Sequence, residues 1–143
     1  IAQITVDSEG ENTIAVAPGA NLSFSAEGIA PARPAGGQCW VSMFQNEVPM
    51  PVTEELIART HGAGHVVIWN IAPTIDARPS ASTLAAVDYL VCNRNELAAL
   101  TGTDGDPGAA VEALARLPLG WGVRNLVVTL GRDGSRCPRS MRP

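Results

Sequence analysis

Hydrophobic positions in this chain gather in short runs. CWVSMFQ, HVVIWNIAP, DYLVCN and RNLVVTLG are near-continuously apolar and rich in Val and aromatic residues, which predicts strands. Between them, PVTEELIARTHGAG and NRNELAALTG space their apolar residues at helical intervals, as do Val111, Leu114, Ala115 and Leu117. The first helix starts among prolines and stops at glycine, and the last is predicted to open on Asp106 as N-cap and Pro107 as first helical residue. Short apolar strands alternating with helices of roughly ten residues predict an α/β fold, a Rossmann-like parallel sheet with helices on both faces, because a strand buried on both sides has no polar face to alternate with.

The amino-terminal segment is different. IAQITVDSEGENTIAVAPGAN carries two apolar runs around a turn-forming DSEGEN and predicts a β-hairpin whose acids, Asp7, Glu9 and Glu11, sit on the turn surface. Residues 18 to 37 are rich in Ala, Gly and Pro and predict at most one short helix.

In a parallel sheet, ligands bind beyond the carboxyl ends of the strands, beside the N-termini of the following helices. The polar strand exits are therefore candidate sites: Gln45 to Glu47, Asn93 to Glu96, and Thr129 to Gly134. Each carries two readings. Asn93 and Glu96, three apart at a helix start, fit a reciprocal cap; they equally suit the hydration shell of Mg2+, which keeps several waters and takes few protein oxygens. TLGRDG is a β-turn tipped by Asp133-Gly134, the first half of a hairpin, or a glycine loop that lets backbone approach a ligand, with Thr129 and Arg132 beside it. Glu47 is a solvated loop acid or an acceptor for substrate hydroxyls. HGAGH places His61 and His65 four apart, but its glycines make a helix terminus of it rather than a metal pair.

Composition narrows the partners. At 143 residues, with 45% apolar and 17% charged residues, one hydrophobic core is expected. A net charge of -4 supplies no basic field for nucleic acid, so a phosphate ligand would depend on backbone N–H groups, a helix N-terminus and a metal ion. The apolar runs are too short to span a bilayer, and without a leader-like start the default expectation is cytoplasmic. Cys39, Cys92 and Cys137 lack ligand spacing, and Cys39 and Cys92, each beside a strand-like run, are expected to be buried small apolar residues.

Taken in order, GENTIAVAPGAN, FQNEVP, a strand ending NIAP, DYLVCNRNELAALTG and GVRNLVVTLGRDGS resemble the middle of a ribokinase-like, PfkB-type carbohydrate kinase, in register from Ile1 to about Ser135. The resemblance implies a partial kinase domain over residues 1–135, with 1–17 as a hairpin of a small β lid and 136–143 as a tail outside the family pattern. It implies transfer of the γ-phosphate of MgATP to a sugar or nucleoside hydroxyl. Asn93 and Glu96 match the N-x-x-E whose members hold the Mg2+ and phosphate waters. Thr129, Leu130, Gly131, Arg132, Asp133 and Gly134 match the stretch lining the ATP site, and Glu47 matches an acidic sugar contact. The lid implies a possible homodimer in the full-length parent.

The departures are Ile71 where the family often has Pro, and two absent motifs. One is a D-x-x-G-A-G-D, whose glycines form an anion hole and whose last Asp is the general base; the other is a glycine-rich G-G-x-x-x-N that grips substrate. The chain also begins inside a strand-like run and ends in GSRCPRSMRP. A fragment is therefore expected, inactive alone for want of a catalytic base. The alternatives are a non-catalytic nucleotide-binding or interaction module of the same fold, or a vitamin-kinase-like or glycosidase relative on a related sheet.

Overall fold

The structure, a computed structural model, describes residues 1–75, 77–103 and 110–138. Strands β1 (Ala2–Val6) and β2 (Asn12–Val16) form the expected antiparallel hairpin, with Ile4 opposite Ile14. Asp7 closes its turn by accepting the Glu9 and Glu11 amide hydrogens at 2.8 and 3.0 Å. A 3-10 turn (Gly19–Ser23) is the regular element of the segment that follows.

The main sheet alternates with helices as the apolar runs predict: β3 (Val41–Phe44), α1 (Met50–Gly62), β4 (Val66–Asn70), α2 (Ala81–Ala86), β5 (Tyr89–Asn93), α3 (Arg94–Thr101), α4 (Val111–Gly120), β6 (Asn125–Thr129) and β7 (Ser135–Arg136). The strand order is β3-β4-β5-β6-β7, with β3 to β6 mutually parallel and β7 antiparallel to β6. Helix α2 is an addition to the expected elements. Its ASTLAA is a single short turn-and-a-half held by the Ser80 cap, which accepts from the Thr83 amide.

The core explains the helices. Ile57 of α1, Leu84 of α2, Leu97 and Leu100 of α3, and Leu114 and Ala115 of α4 pack on Val67, Trp69, Leu90, Cys92, Leu126 and Val128. These strand residues all point to one face. Parallel strands laid down in sequential order with right-handed crossovers place every connecting helix on the same side. The other face, with Val41, Met43, Val66, Ile68, Tyr89, Val91 and Val127, is exposed or half-buried in this chain, so the expected two-sided covering is one-sided here. In α4, Val111, Leu114, Ala115, Pro118 and Leu119 are buried while Leu117 is exposed, a correction to the expected apolar face. Leu117 falls between the buried positions of the helical repeat. The expected N-cap, Asp106 with Pro107, lies outside the described residues. Cys39 is exposed rather than buried, because β3 begins only at Val41 on the sheet edge. Cys92 is buried as expected.

The amino ends of the strands are fastened by Asp88. Its Oδ2 accepts the Val67 amide at 2.9 Å, its Oδ1 accepts from Arg124 at 2.8 Å, and its carbonyl accepts from the Asn125 side chain at 2.9 Å. This leaves the opposite, carboxyl edge as the one with open strand exits.

Candidate functional site

Because β3, β4, β5 and β6 are parallel, their polar exits share one edge of the sheet. Register brings two of the three candidate stretches together. Asn93 is the direct partner of Thr129 across β5 and β6, and Thr129 Oγ1 points to the Cys92 carbonyl at 3.5 Å. Glu47, beyond the end of β3, lies about three inter-strand spacings from the β6 exit, roughly 14 Å.

Asn93 and Glu96 form a complete capping box. Asn93 Oδ1 accepts the Glu96 amide at 2.9 Å and Glu96 Oε2 accepts the Asn93 amide at 2.7 Å, while Gly102 closes the other end of α3 at φ 69°. The structural reading of this pair is thus realised in the fold. Glu96 is buried at 7% exposure, against Cys92. Burial, and then the Glu96 charge, push the Cys92 thiol up to about 12, so it remains a neutral apolar filler.

A metal ion bound directly to Asn93 would have to share Oδ1 with the cap, whereas Glu96 Oε1 takes no part in the box. Among the described residues no group of three or more His, Cys, Asp or Glu is placed to hold one. Water-mediated binding leaves the cap intact, and the donor set, one carboxylate and one amide, fits Mg2+ held through its waters.

Thr129 to Gly134 leave β6 in a tight hairpin turn. The Leu130 amide donates to Gly134 O at 2.8 Å, and residues Gly131–Asp133 make a 3-10 turn leading into β7. Gly131 and Gly134 have φ of 59° and 80°, and a Cβ at either would meet no atom within 4 Å. Backbone at this turn is therefore open to a ligand, and the glycines are required by the turn itself. The hairpin reading holds, with an exposed Arg132 beside the Asn93–Thr129 edge.

At the β3 exit a groove of about 370 Å³ is lined by Phe24, Phe44, Gln45, Glu47 and Thr53 among others. Thr53 was not among the sequence candidates. Its residue is 1% exposed, and its Oγ1 is a buried polar atom without a hydrogen-bond partner among the described residues. Asn46, between the two groove residues Gln45 and Glu47, lay inside a candidate stretch but was given no role of its own. Its amide donates to Ala72 O at 2.9 Å, its Nδ2 to Pro73 O at 3.0 Å, and its Oδ1 accepts from the Trp69 indole at 2.9 Å. The signal available in sequence was an amide beside an acid at a strand exit and a tryptophan in the next strand; their pairing is a tertiary fact.

HGAGH ends α1 as expected. His65 is occupied structurally, with Nδ1 at 2.8 Å from Ser42 Oγ and Nε2 donating to Ala32 O at 2.7 Å.

A family model described as "pfkB family carbohydrate kinase" matches residues 1–139. The chain is 33% identical over 136 residues to a ribokinase of Staphylococcus aureus (strain COL), covering 94% of this chain and 43% of that protein. It is 30% identical over 135 residues to a deoxyribokinase of Salmonella typhi, covering 94% and 44%. Among solved structures, the ribokinase of Thermotoga maritima superposes with a TM-score of 0.74 at 29% identity, over 99% of this chain and 45% of that one. The chain thus spans less than half the length of the relatives it matches.

Proposed function

We propose, from the premise that this chain belongs to the pfkB family of carbohydrate kinases, that it is the central segment of an ATP-dependent kinase for a ribose-type sugar. The observation that carries the reading is the shared edge: Asn93 of the capping box is paired directly with Thr129 of the glycine turn, and Glu47 lies on the same edge across the sheet.

The chemistry assigns roles by position. The turn from Thr129 to Gly134, with Leu130, Gly131, Arg132 and Asp133 between, lines the nucleotide; Arg132 suits phosphate, and the glycine backbone permits close approach. Glu96 and Asn93 orient waters of Mg2+, whose charge offsets that of the transferring phosphoryl group. Glu47, across the edge, accepts a hydrogen bond from a sugar hydroxyl. A separation of roughly 14 Å between strand exits three spacings apart leaves room for a sugar at one end and a triphosphate at the other. The general base belongs to a D-x-x-G-A-G-D motif that this sequence does not contain.

Two preparations test the proposal. The full-length protein is expected to convert D-ribose or 2-deoxy-D-ribose and MgATP to the sugar phosphate and ADP. The 143-residue chain alone is expected to turn over neither sugar, since loss of base and anion hole removes many orders of magnitude of rate. Turnover by the chain alone would contradict the placement of the base outside it. Absence of sugar phosphorylation by the full-length protein, with MgATP still bound, would favour the non-catalytic nucleotide-binding module.

A further inference from the structure

We infer that Asn46 is a positioning residue for the sugar side of the site, the bolt that sets the direction of Glu47; this rests on the reading of Glu47 as a sugar contact.

The loop after β3 continues the alternation of the strand. Gln45 and Glu47 are exposed and line the groove, while Asn46 between them is turned the other way. There it meets the exit of the neighbouring strand β4. Its three hydrogen bonds, at 2.9 Å to Ala72 O, 3.0 Å to Pro73 O and 2.9 Å from Trp69 Nε1, join the β3 exit to residues 69–73. Trp69 is fully buried, so its indole N–H has no recourse to water and depends on this one acceptor. Loss of the Asn46 side chain therefore disturbs both ends of the bolt. The main-chain bond to Ala72 O remains, but one bond in place of three leaves residues 45–47 free to rotate about the loop, and a carboxylate aimed from a loop is sensitive to displacements of about 1 Å. The Asn93–Thr129 edge lies on the other side of β4 and makes no bond to Asn46 among the described residues, so the nucleotide side should be insensitive.

The experiment compares Asn46→Ala, Trp69→Phe and Glu47→Gln in the full-length protein, measuring KM for ribose, KM for MgATP, kcat and the melting temperature. Asn46→Ala is expected to raise the ribose KM about tenfold, equivalent to ~1.4 kcal/mol, with the MgATP KM within about twofold of the parent. Trp69→Phe keeps the buried ring, removes one bond of the bolt and should move the ribose KM in the same direction by less; it serves as the test should Asn46→Ala not fold. Glu47→Gln should also raise the ribose KM. If Glu47→Gln raises it and neither bolt variant does, the positioning role is wrong and Glu47 stands as a sugar contact. If Glu47→Gln leaves it unchanged, the reading of Glu47 is wrong and the inference falls with it. Equal rises in both KM values on Asn46→Ala would mark a general structural role and overturn the inference.

Discussion

Asn93 and Glu96 each serve the backbone of α3 as well as the proposed metal waters, and single substitutions can separate the two duties. Replacing Asn93 with Ala removes the acceptor for the Glu96 amide and should cost about 1 kcal/mol of stability in a denaturant titration. Asn93→Ser keeps a capping oxygen and should stay within roughly 0.5 kcal/mol of the parent. Thr53 offers the opposite case: its buried hydroxyl lacks a partner among the described residues, so Thr53→Val, nearly equal in shape, should stabilise the free protein by about 1 kcal/mol, and a loss of similar size would show that the hydroxyl has a partner in solution. Cys92 makes a pH prediction. Its folded value of about 12 lies above the ordinary thiol value of 9.0, so the fold keeps the thiol protonated; its contribution is complete below pH 9 and is lost as pH rises from there toward 12. Cys92→Ala should therefore flatten the decline of stability between pH 9 and 11, and a parallel decline in both proteins would show that another group causes it. The cap was legible in sequence because both partners lie within one turn of each other. The roles of Asn46 and Asp88 were not, since their partners are 20 or more residues away, nor was that of Thr53, whose hydroxyl has no partner among the described residues.

Among the elements, β3 to β6, α1 and α3 follow from apolar runs and local punctuation, and their order already placed the polar exits on one edge. Helix α2 escaped because six residues with Leu84 as the one large apolar side chain give no helical stripe, and its anchors come from α1: Glu54 Oε1 accepts from the Ser80 amide and the Thr83 hydroxyl, both at 2.9 Å. Strand β7 is only Ser135–Arg136 and has no apolar pattern of its own; the closed Leu130–Gly134 turn directs it back along β6. At the opposite edge, Asp88 holds β4 directly and reaches β6 through Asn125. Asp88→Ala leaves the Val67 amide without its acceptor and should cost about 1–3 kcal/mol, whereas Arg124→Ala, which removes an ion pair whose arginine is 60% exposed, should cost no more than about 1 kcal/mol. Equal losses from both would mean that the ion pair, not the amide bond, fastens the edge.

For the molecule as a whole, one-sided covering matters most. Near-continuous apolar strands suit a sheet covered on both faces, but in this chain the helices cover one face and leave the other exposed or half-buried. In this chain Met43 is 77% and Val41 54% exposed, on the same face as Ile68 and Val91 and at the β3 edge. An apolar sheet face and an unpaired edge favour association. The isolated chain should sediment with a concentration-dependent mass, and Met43→Lys should shift it toward monomer; a sharply melting monomer at all concentrations would contradict this. The relatives, more than twice as long, have the remaining length to supply such a cover.

Whether the Asn93–Thr129 edge holds the MgATP side of a sugar kinase site is decided by Glu96→Gln in the full-length protein. Gln retains the capping-box acceptor for the Asn93 amide and loses only the charge. The rate of ribose phosphorylation is followed against free Mg2+. The expected result is an unchanged melting temperature and a roughly tenfold rise in the Mg2+ needed for half-maximal rate, the effect of weakening the ion's surroundings by ~1.4 kcal/mol. An Mg2+ dependence identical to the parent's would mean that Glu96 only caps its helix and that the metal is held elsewhere.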